Sequence, residues 1–516
     1  MSPTELGLYV SILTALALFL LKPRKTKNLP PGPAPTSWLV GNRNQLPPRK
    51  PWRWFQELND QYGPVVYLQL GRTPTVVIGS AQAAWDILEK KSPVTSSRPR
   101  FIMGQEIMSN NMRGLMSSNN AFWRRWRRAL HTSFMQKASD TYKPIQNLES
   151  KQLLAELART PAKYREHLER YATSVAVVVT YGRRVHNIYN DEVVCLNRQT
   201  NEFLTSVNIP GKYLVESIPT LLYLPNFLTP WRTAALEQRA RDIGYLTRLV
   251  EEVKAKMASG RAQPSFCRLL LEEREKNEMS DLEIGYTCGT PFGAGVETTA
   301  GTLSSFMLAC AAFGPSFIPK AQKELDAVVG PDRLPTFEDF DDLPFIRAIV
   351  NETLRWRPVA VLGGTPHSST EDFTYEGMFI PKGSTIIANL WGIHLNSADF
   401  PEPHRFDPER FMSKRNYPGP WQHSSFGYGR RVCPGMHLGS NSIYINIARI
   451  LWGFNLGKAS DEDGQEIDVD IFAYTDGFNS VPQPFAISIT PRSQGHLAII
   501  ERENESAQEE MKAYDS

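Results

Sequence analysis

The stretch FGYGRRVCPG, Phe426 to Gly435, gathers three glycines, two arginines and one cysteine into a single short loop. A thiol becomes a good metal ligand only as thiolate, when nearby positive potential pulls its pKa down from about 8.5. The run that follows, PGMHLGSNSIYINIARILWGF, reads as a helix with Pro434 in its first turn, where a missing amide proton costs little. Cys433 then stands at a helix N-terminus, with free amides and the dipole favouring a negative sulfur. Gly427, Gly429 and Gly435 let the backbone bend tightly and approach a flat ligand closely. Arg431, two residues before the cysteine, is within reach of an acidic group on such a ligand. The ordinary alternative is a buried cysteine in a glycine-rich turn.

The spacing F-x-x-G-x-R-x-C-x-G resembles the haem-thiolate loop of the cytochrome P450 family. The resemblance implies haem b, its iron held by the Cys433 thiolate, with Phe426, Arg431 and Gly435 among the haem-binding residues. Other segments fit the same family. Glu352 and Arg355 in ETLR lie one helical turn apart, and Arg410 comes from PERF. Together they resemble the Glu-Arg-Arg network that locks the segment before the cysteine loop, a structural role. On their own, Glu352 and Arg355 are a surface ion pair of little value.

In GTPFGAGVETTAGTL, Gly289 to Leu303, the residues Ala294, Gly295, Glu297 and Thr298 match the family's A-G-x-[DE]-T motif. The resemblance implies a long helix crossing the distal face of the haem, with Glu297 and Thr298 as catalytic residues organising proton delivery. The alternative is a plain helix whose threonine bonds back to its own carbonyl. Pro291 should kink that helix, at a cost on the order of 3 kcal/mol without compensation. WRRWRRALH supplies Trp123 and Arg127, and TPHSSTED supplies His367; with Arg431 these are expected to serve the haem propionates. Arg124, Arg125 and Arg128 are either a solvated face or a docking face for an acidic electron donor.

The bulk properties are compatible with this and exclude other classes. The 516 residues are 41% hydrophobic and 22% charged, with net charge +3, too mild a balance for a nucleic-acid binder. Five scattered cysteines make no disulfide framework and no zinc cluster. Leu6 to Leu21 is an uncharged apolar run, followed by Lys22, Arg24, Lys25 and Lys27. As a helix it spans about 24 Å, slightly short of a bilayer core of about 30 Å. With the basic residues after it, it reads as a single-pass anchor that leaves the body in the cytosol, rather than as a cleaved signal peptide. Sequons at Asn351 and Asn504 should then stay unmodified.

LPPGPAP, Leu29 to Pro35, reads as a semi-rigid connector. Pro64–Leu70 and Thr73–Gly79 read as a hairpin. SKQLLAELAR, the run 233–258 and PKAQKELDAVV show helical periodicity, and Pro381–His394 returns to a strand and turn. The expected fold is mainly α with small β-sheets, the cytochrome P450 fold preceded by a single N-terminal transmembrane helix. Its parts are an anchor at 1–28, a catalytic domain at 29–500, and a disordered polar tail at 501–516. The methionine-bearing segment 101–116, the apolar lip Ile218–Trp231, Val359–Gly364 and Tyr474–Phe478 resemble substrate-recognition regions by position; each is equally open to a reading as core.

The resemblance implies a monooxygenase inserting one atom of O2 into an apolar molecule, a secondary metabolite such as a terpenoid or polyketide. Electrons would come from NADPH through a cytochrome reductase, with cytochrome b5 as a further partner, at the endoplasmic reticulum membrane. The rivals are a haem-thiolate desaturase or rearrangement enzyme and a non-catalytic haem protein.

Overall fold

The computed structural model describes residues 28–37, 40–209, 212–412 and 424–515. The expected anchor at 6–21 lies outside these residues. Helices dominate at 59%, and the sheets are small. The expected hairpin is present: β1 (Val65–Leu70) pairs antiparallel with β2 (Thr73–Ile78), turning at Gly71 with φ +62°. β3 (His367–Ser368) enters the same sheet through β6 (Thr385–Ala388), which runs parallel to β2. Two ribbons complete the β structure, β4 (Phe373–Tyr375) with β5 (Met378–Ile380) and β7 (Phe454–Lys458) with β8 (Ile487–Pro491). The proline connector is docked on the sheet rather than standing off as a spacer. Tyr67 donates its amide to the Pro31 carbonyl at 2.9 Å, and a Cβ at Gly32 would fall 2.1 Å from the Tyr67 carbonyl oxygen.

The helices that position the site are α1 (Pro51–Tyr62), α2 (Ala121–Phe134), α3 (Lys143–Arg159), α4 (Tyr164–Tyr181), α5 (Glu192–Val207), α6 (Pro230–Ala258), α7 (Phe266–Glu272), α8 (Asp281–Val328), α9 (Pro344–Trp356), α10 (Leu390–His394), α11 (Met436–Gly453) and α12 (Gln494–Met511). The axis of the molecule is α8. Ser280 and Glu283 form a reciprocal capping box at its start, satisfying two orphan amides. It continues through Pro291, Pro315 and Pro319 for 48 residues, so PKAQKELDAVV is its last part and not a separate helix. Each proline removes one backbone bond, but Phe317, Ile318, Ala321 and Leu325 stay buried along the same rod, and that packing overrides the local preference. This helix is long and apolar enough to cross a membrane, yet 78% of its most apolar window is buried within the fold.

The polar tail is not disordered. Residues 494–511 form α12, capped by Ser493, and Ile500, Asn504, Ala507 and Met511 make one buried face at the three- and four-residue spacing of a helix. Ala507 and Met511 pack with Leu148 of α3, while Lys151 pairs with Glu503 at 2.8 Å. Both sequons are interior: Asn351 on α9 is 8% exposed and Asn504 on α12 is 4% exposed. Cys267, Cys288 and Cys310 are buried free thiols.

Candidate active site

The cysteine loop owes its shape to two glycines and to ties from elsewhere. Gly429 has φ +60°, and a Cβ there would lie 2.3 Å from the Leu88 carbonyl oxygen; only glycine fits. Its amide donates to Glu89 Oε2 at 2.5 Å. Gly427 is also left-handed, with φ +81°. The Cys433 amide donates to the Phe426 carbonyl at 2.8 Å, closing the loop on itself. Helix α11 starts at Met436 with Gly435 as its cap, two residues later than the sequence suggested, so Pro434 precedes the helix.

Burial raises the Cys433 thiol above its ordinary value, against the opposing pull of the Gly435 amide and of Arg127. The expected depression is therefore not achieved by the polypeptide alone: the loop amide and one cation do not offset removal from water. A metal cation at the sulfur reverses that balance, because coordination deprotonates a thiol outright.

Behind the loop lies the Glu352–Arg355 pair, which is fully buried and not a surface ion pair. Arg355 donates to both carboxylate oxygens at 2.6 and 2.7 Å, and its Nη1 donates to the carbonyls of His394 and Pro403. Arg410 approaches Glu352 at 3.5 Å, and the Asp407 amide donates to Glu352 at 2.8 Å. The network reaches the loop at two points. Ser425 Oγ donates to the Leu354 carbonyl at 2.8 Å, and the His394 ring meets Ser424 Oγ at 2.5 Å.

Beside the cysteine the structure collects cations. Trp123 and Arg127, four apart on α2, face inward together. The Arg431 guanidinium lies 4.1 Å from the centre of the Trp123 ring, and donates to the carbonyls of Ser96 and Ser117 at 2.7 Å. Arg98, in SSRPR, is buried and donates to the carbonyls of Thr365 and Leu115. Burial pushes Arg98 down to about 9. Arg431 falls to about 8, through burial first and then repulsion from Arg98 and Arg127. Burial also lowers Arg127, opposed by Cys433. His367 holds Nδ1 against the Thr95 carbonyl at 3.0 Å; burial, followed by Arg98, depresses it well below the usual histidine range.

Arg431, repelled by both Arg98 and Arg127, and these two arginines, with no ion pair to an acid among the described residues, form a site suited to anionic groups. The buried Trp123 Nε1, which has no hydrogen-bond partner among the described residues, adds one more donor. This donor set would suit the two propionates of a haem held beside Cys433. Arg98 was missed in sequence; only the folded chain brings residues 98, 123 and 431 together. Of the run 124–128, Arg124 and Arg128 are exposed, while Arg125 pairs with Glu283 at 3.5 Å.

On α8, Ala294 and Glu297 are exposed, and the helix is buried again from Ala300. Thr298 and Glu297 do not form an acid–alcohol pair here. Thr298 Oγ1 donates to its own Ala294 carbonyl at 2.7 Å, and Glu297 Oε2 accepts from Asn479 Nδ2 at 2.8 Å. Of the expected substrate segments, Val359–Gly364 and Tyr474–Phe478 both reach α8: a Cβ at Gly301 would lie 3.4 Å from Val359, and the Tyr474 hydroxyl donates to Ser305 Oγ at 3.1 Å. Met103, Met108 and Met116 are buried, the first two in a cluster with Val207, Val215 and Ala235.

The family model for cytochrome P450 matches residues 30–481 of the chain. The chain belongs to the cytochrome P450 family. It is 37% identical over 500 residues to cytochrome P450 monooxygenase 58 of Postia placenta, covering 95% of this chain and 94% of that protein. Monooxygenase 113 of the same fungus is 39% identical over 486 residues, 93% of this chain and 94% of the relative. Cytochrome P450 monooxygenase virE of Hypocrea virens is 36% identical over 509 residues, 96% and 92% of the two chains. Membership makes the chain a P450 monooxygenase, an oxidoreductase of a family that binds haem through a cysteine thiolate.

Proposed function

We propose that Cys433 is the axial ligand of haem b, and that the chain inserts one oxygen atom from O2 into an apolar small molecule of secondary metabolism, such as a terpenoid or polyketide. The observation that carries the site assignment is the gathering of buried Arg98, half-buried Arg127 and half-buried Arg431, the last stacked 4.1 Å from the Trp123 ring centre, beside the half-buried Cys433. Such charges persist in an interior when anions neutralise them. Arg98, Trp123, Arg127, His367 and Arg431 would hold the propionates. Phe426 and Gly435 shape the loop around the sulfur, and Gly435 turns its amide toward it. When bound, the haem supplies oxygen activation, with electron density from the thiolate.

The chain's own contribution on the distal side is proton handling. Glu297 presents a carboxylate at an exposed position of α8 and Thr298 a hydroxyl at the next position, the two groups that would take up and pass on a proton there. Electrons come from NADPH through a cytochrome reductase, with cytochrome b5 as a further donor; the exposed Arg124 and Arg128 suit docking of an acidic partner. We place the chain at the endoplasmic reticulum membrane, anchored by residues 1–28 with its body in the cytosol. In support, Tyr223 and Phe227 are 89% and 81% exposed within a run that also exposes Leu214, Ile218 and Leu228, an apolar lip suited to a lipid surface.

The test is product mass analysis under labelled O2. The full chain is expressed with a microsomal reductase, fed terpenoid, polyketide and alkaloid scaffolds, and compared with Cys433→Ser. A product heavier by one labelled oxygen supports the reading. A Cys433-dependent product without label points to desaturation or rearrangement and overturns the reaction type.

A further inference from the structure

The loop that carries Tyr474 to Val481 is laid along one stripe of α8, and it touches that stripe at three points. Asn479 Nδ2 donates to Glu297 Oε2 at 2.8 Å. Val481 covers Gly301, where a Cβ would fall 2.5 Å from its Cγ1. Tyr474 donates its hydroxyl to Ser305 Oγ at 3.1 Å, in the core. Positions 297, 301 and 305 are successive steps of four, a single face of the helix. The loop is also braced internally and to the wall opposite. Thr475 and Val481 pair through the Thr475 amide and the Val481 carbonyl at 2.9 Å, Ser480 Oγ donates to the Thr475 carbonyl, and the Ser480 amide donates to the Val359 carbonyl at 2.8 Å. Asn479 therefore sits on a rigid support, while Glu297, with three side-chain torsions and an exposed position, has no other restraint among the described residues.

We propose that Asn479 is the positioning residue for Glu297, fixing which carboxylate oxygen handles the proton. An amide N–H can only donate, so its bond commits Oε2 as an acceptor and leaves Oε1 as the oxygen that takes or releases a proton. The neighbouring Phe478 reaches within 4.0 Å of a Cβ built at Gly364, so the loop that aims the carboxylate also borders the expected substrate wall. A ligand that presses on Phe478 is thus felt at Glu297 through one intervening residue.

The proposal rests on the reading that Glu297 is a distal proton group, and the test separates the two. The probe is cyanide, which binds ferric haem as the anion after hydrogen cyanide gives up its proton, and whose association is followed by the Soret shift with no turnover and no substrate. Asn479→Leu keeps the size of the side chain and removes the donor; it should slow association by roughly tenfold, well within what a positioned proton-transfer group commands. Asn479→Gln, which retains an amide, should recover much of the rate. Glu297→Gln should be at least as slow as Asn479→Leu, and the double variant no slower than Glu297→Gln alone, because Asn479 acts through Glu297. If Glu297→Gln leaves the rate unchanged, the proton role of Glu297 fails. If Glu297→Gln is slow while Asn479→Leu matches the parent, the positioning role alone is overturned. Additive losses in the double variant also overturn it, since they mean that Asn479 acts on the loop and not on the carboxylate.

Discussion

Arg431 sits over the Trp123 ring, its guanidinium carbon 4.1 Å from the ring centre, and donates from Nε and Nη2 to the carbonyls of Ser96 and Ser117. A lysine ammonium is a compact point charge and cannot stack and fork at once. Arg431→Lys should fold but lose haem readily. The haem-to-protein absorbance ratio after dialysis should drop severalfold, and a ratio equal to the parent's would remove Arg431 from the propionate site.

Glu352 and Arg355 are both fully buried, so truncating one partner leaves a charge without compensation. Glu352→Ala should destabilise by about 3–5 kcal/mol and yield little folded holoprotein. The reduced carbon monoxide complex reports this: loss of its red-shifted Soret band, with recovery at low expression temperature, is the expected pattern. An Arg355→Met, Glu352→Met double variant should recover part of the stability, because it removes both charges together.

Gly429→Ala meets the Leu88 carbonyl and a left-handed backbone at once. The clash must shift the cysteine loop, and a cost of about 2 kcal/mol or more is expected from backbone strain of this kind. Gly427→Ala has the same φ sign but nothing within 4 Å, so it should cost less. Thermal midpoints of the two variants side by side test the ranking.

Asp326, in the last turn of α8, accepts two bonds from Arg492, at 2.8 and 2.7 Å. Those bonds hold its carboxyl below the usual value, against the opposing effect of burial. A depressed carboxylate adds stability that is complete above the unfolded value of about 3.9 and is lost as pH falls through the lower folded value. Asp326→Asn should therefore be less stable than the parent at pH 5, with the gap closing towards pH 3. The carboxylate is half exposed, which keeps the gap below about 1 kcal/mol. Urea midpoints at the two pH values measure it.

Removing residues 501–516 would be harmless for a disordered tail. Here it strips Ala507 and Met511 from Leu148 and Lys151 from its pairing with Glu503. Truncation at 500 should lower the thermal midpoint by several degrees, in keeping with the loss of buried Met and Ala side chains.

Most of the site was legible because its chemistry is written in fixed local spacing. Phe426 to Gly435, the Glu352–Arg355 turn and the Ala294–Thr298 run each show their character within ten residues. What escaped depends on partners far along the chain. Arg98 gains its meaning from Trp123 and Arg431, and Asn479 from Glu297. Helix α12 escaped because its inner face, Ile500, Asn504, Ala507 and Met511, is too dilute in apolar residues to stand out against the acidic positions between them. The burial that opposes ionisation of the metal-free Cys433 thiol was not legible for a related reason: motif and helix position speak of charge, whereas burial is a property of the whole fold.

The interior placement of Asn351 and Asn504 gives the chain two internal clocks. A sugar transferase acts on an asparagine it can reach, and the native fold hides both. A glycan on either residue would record a chain that met the transferase before it finished folding. In a topology experiment these sequons would therefore report unfolded traffic, and a faithful reporter needs an acceptor on an exposed turn such as the one around Asn190.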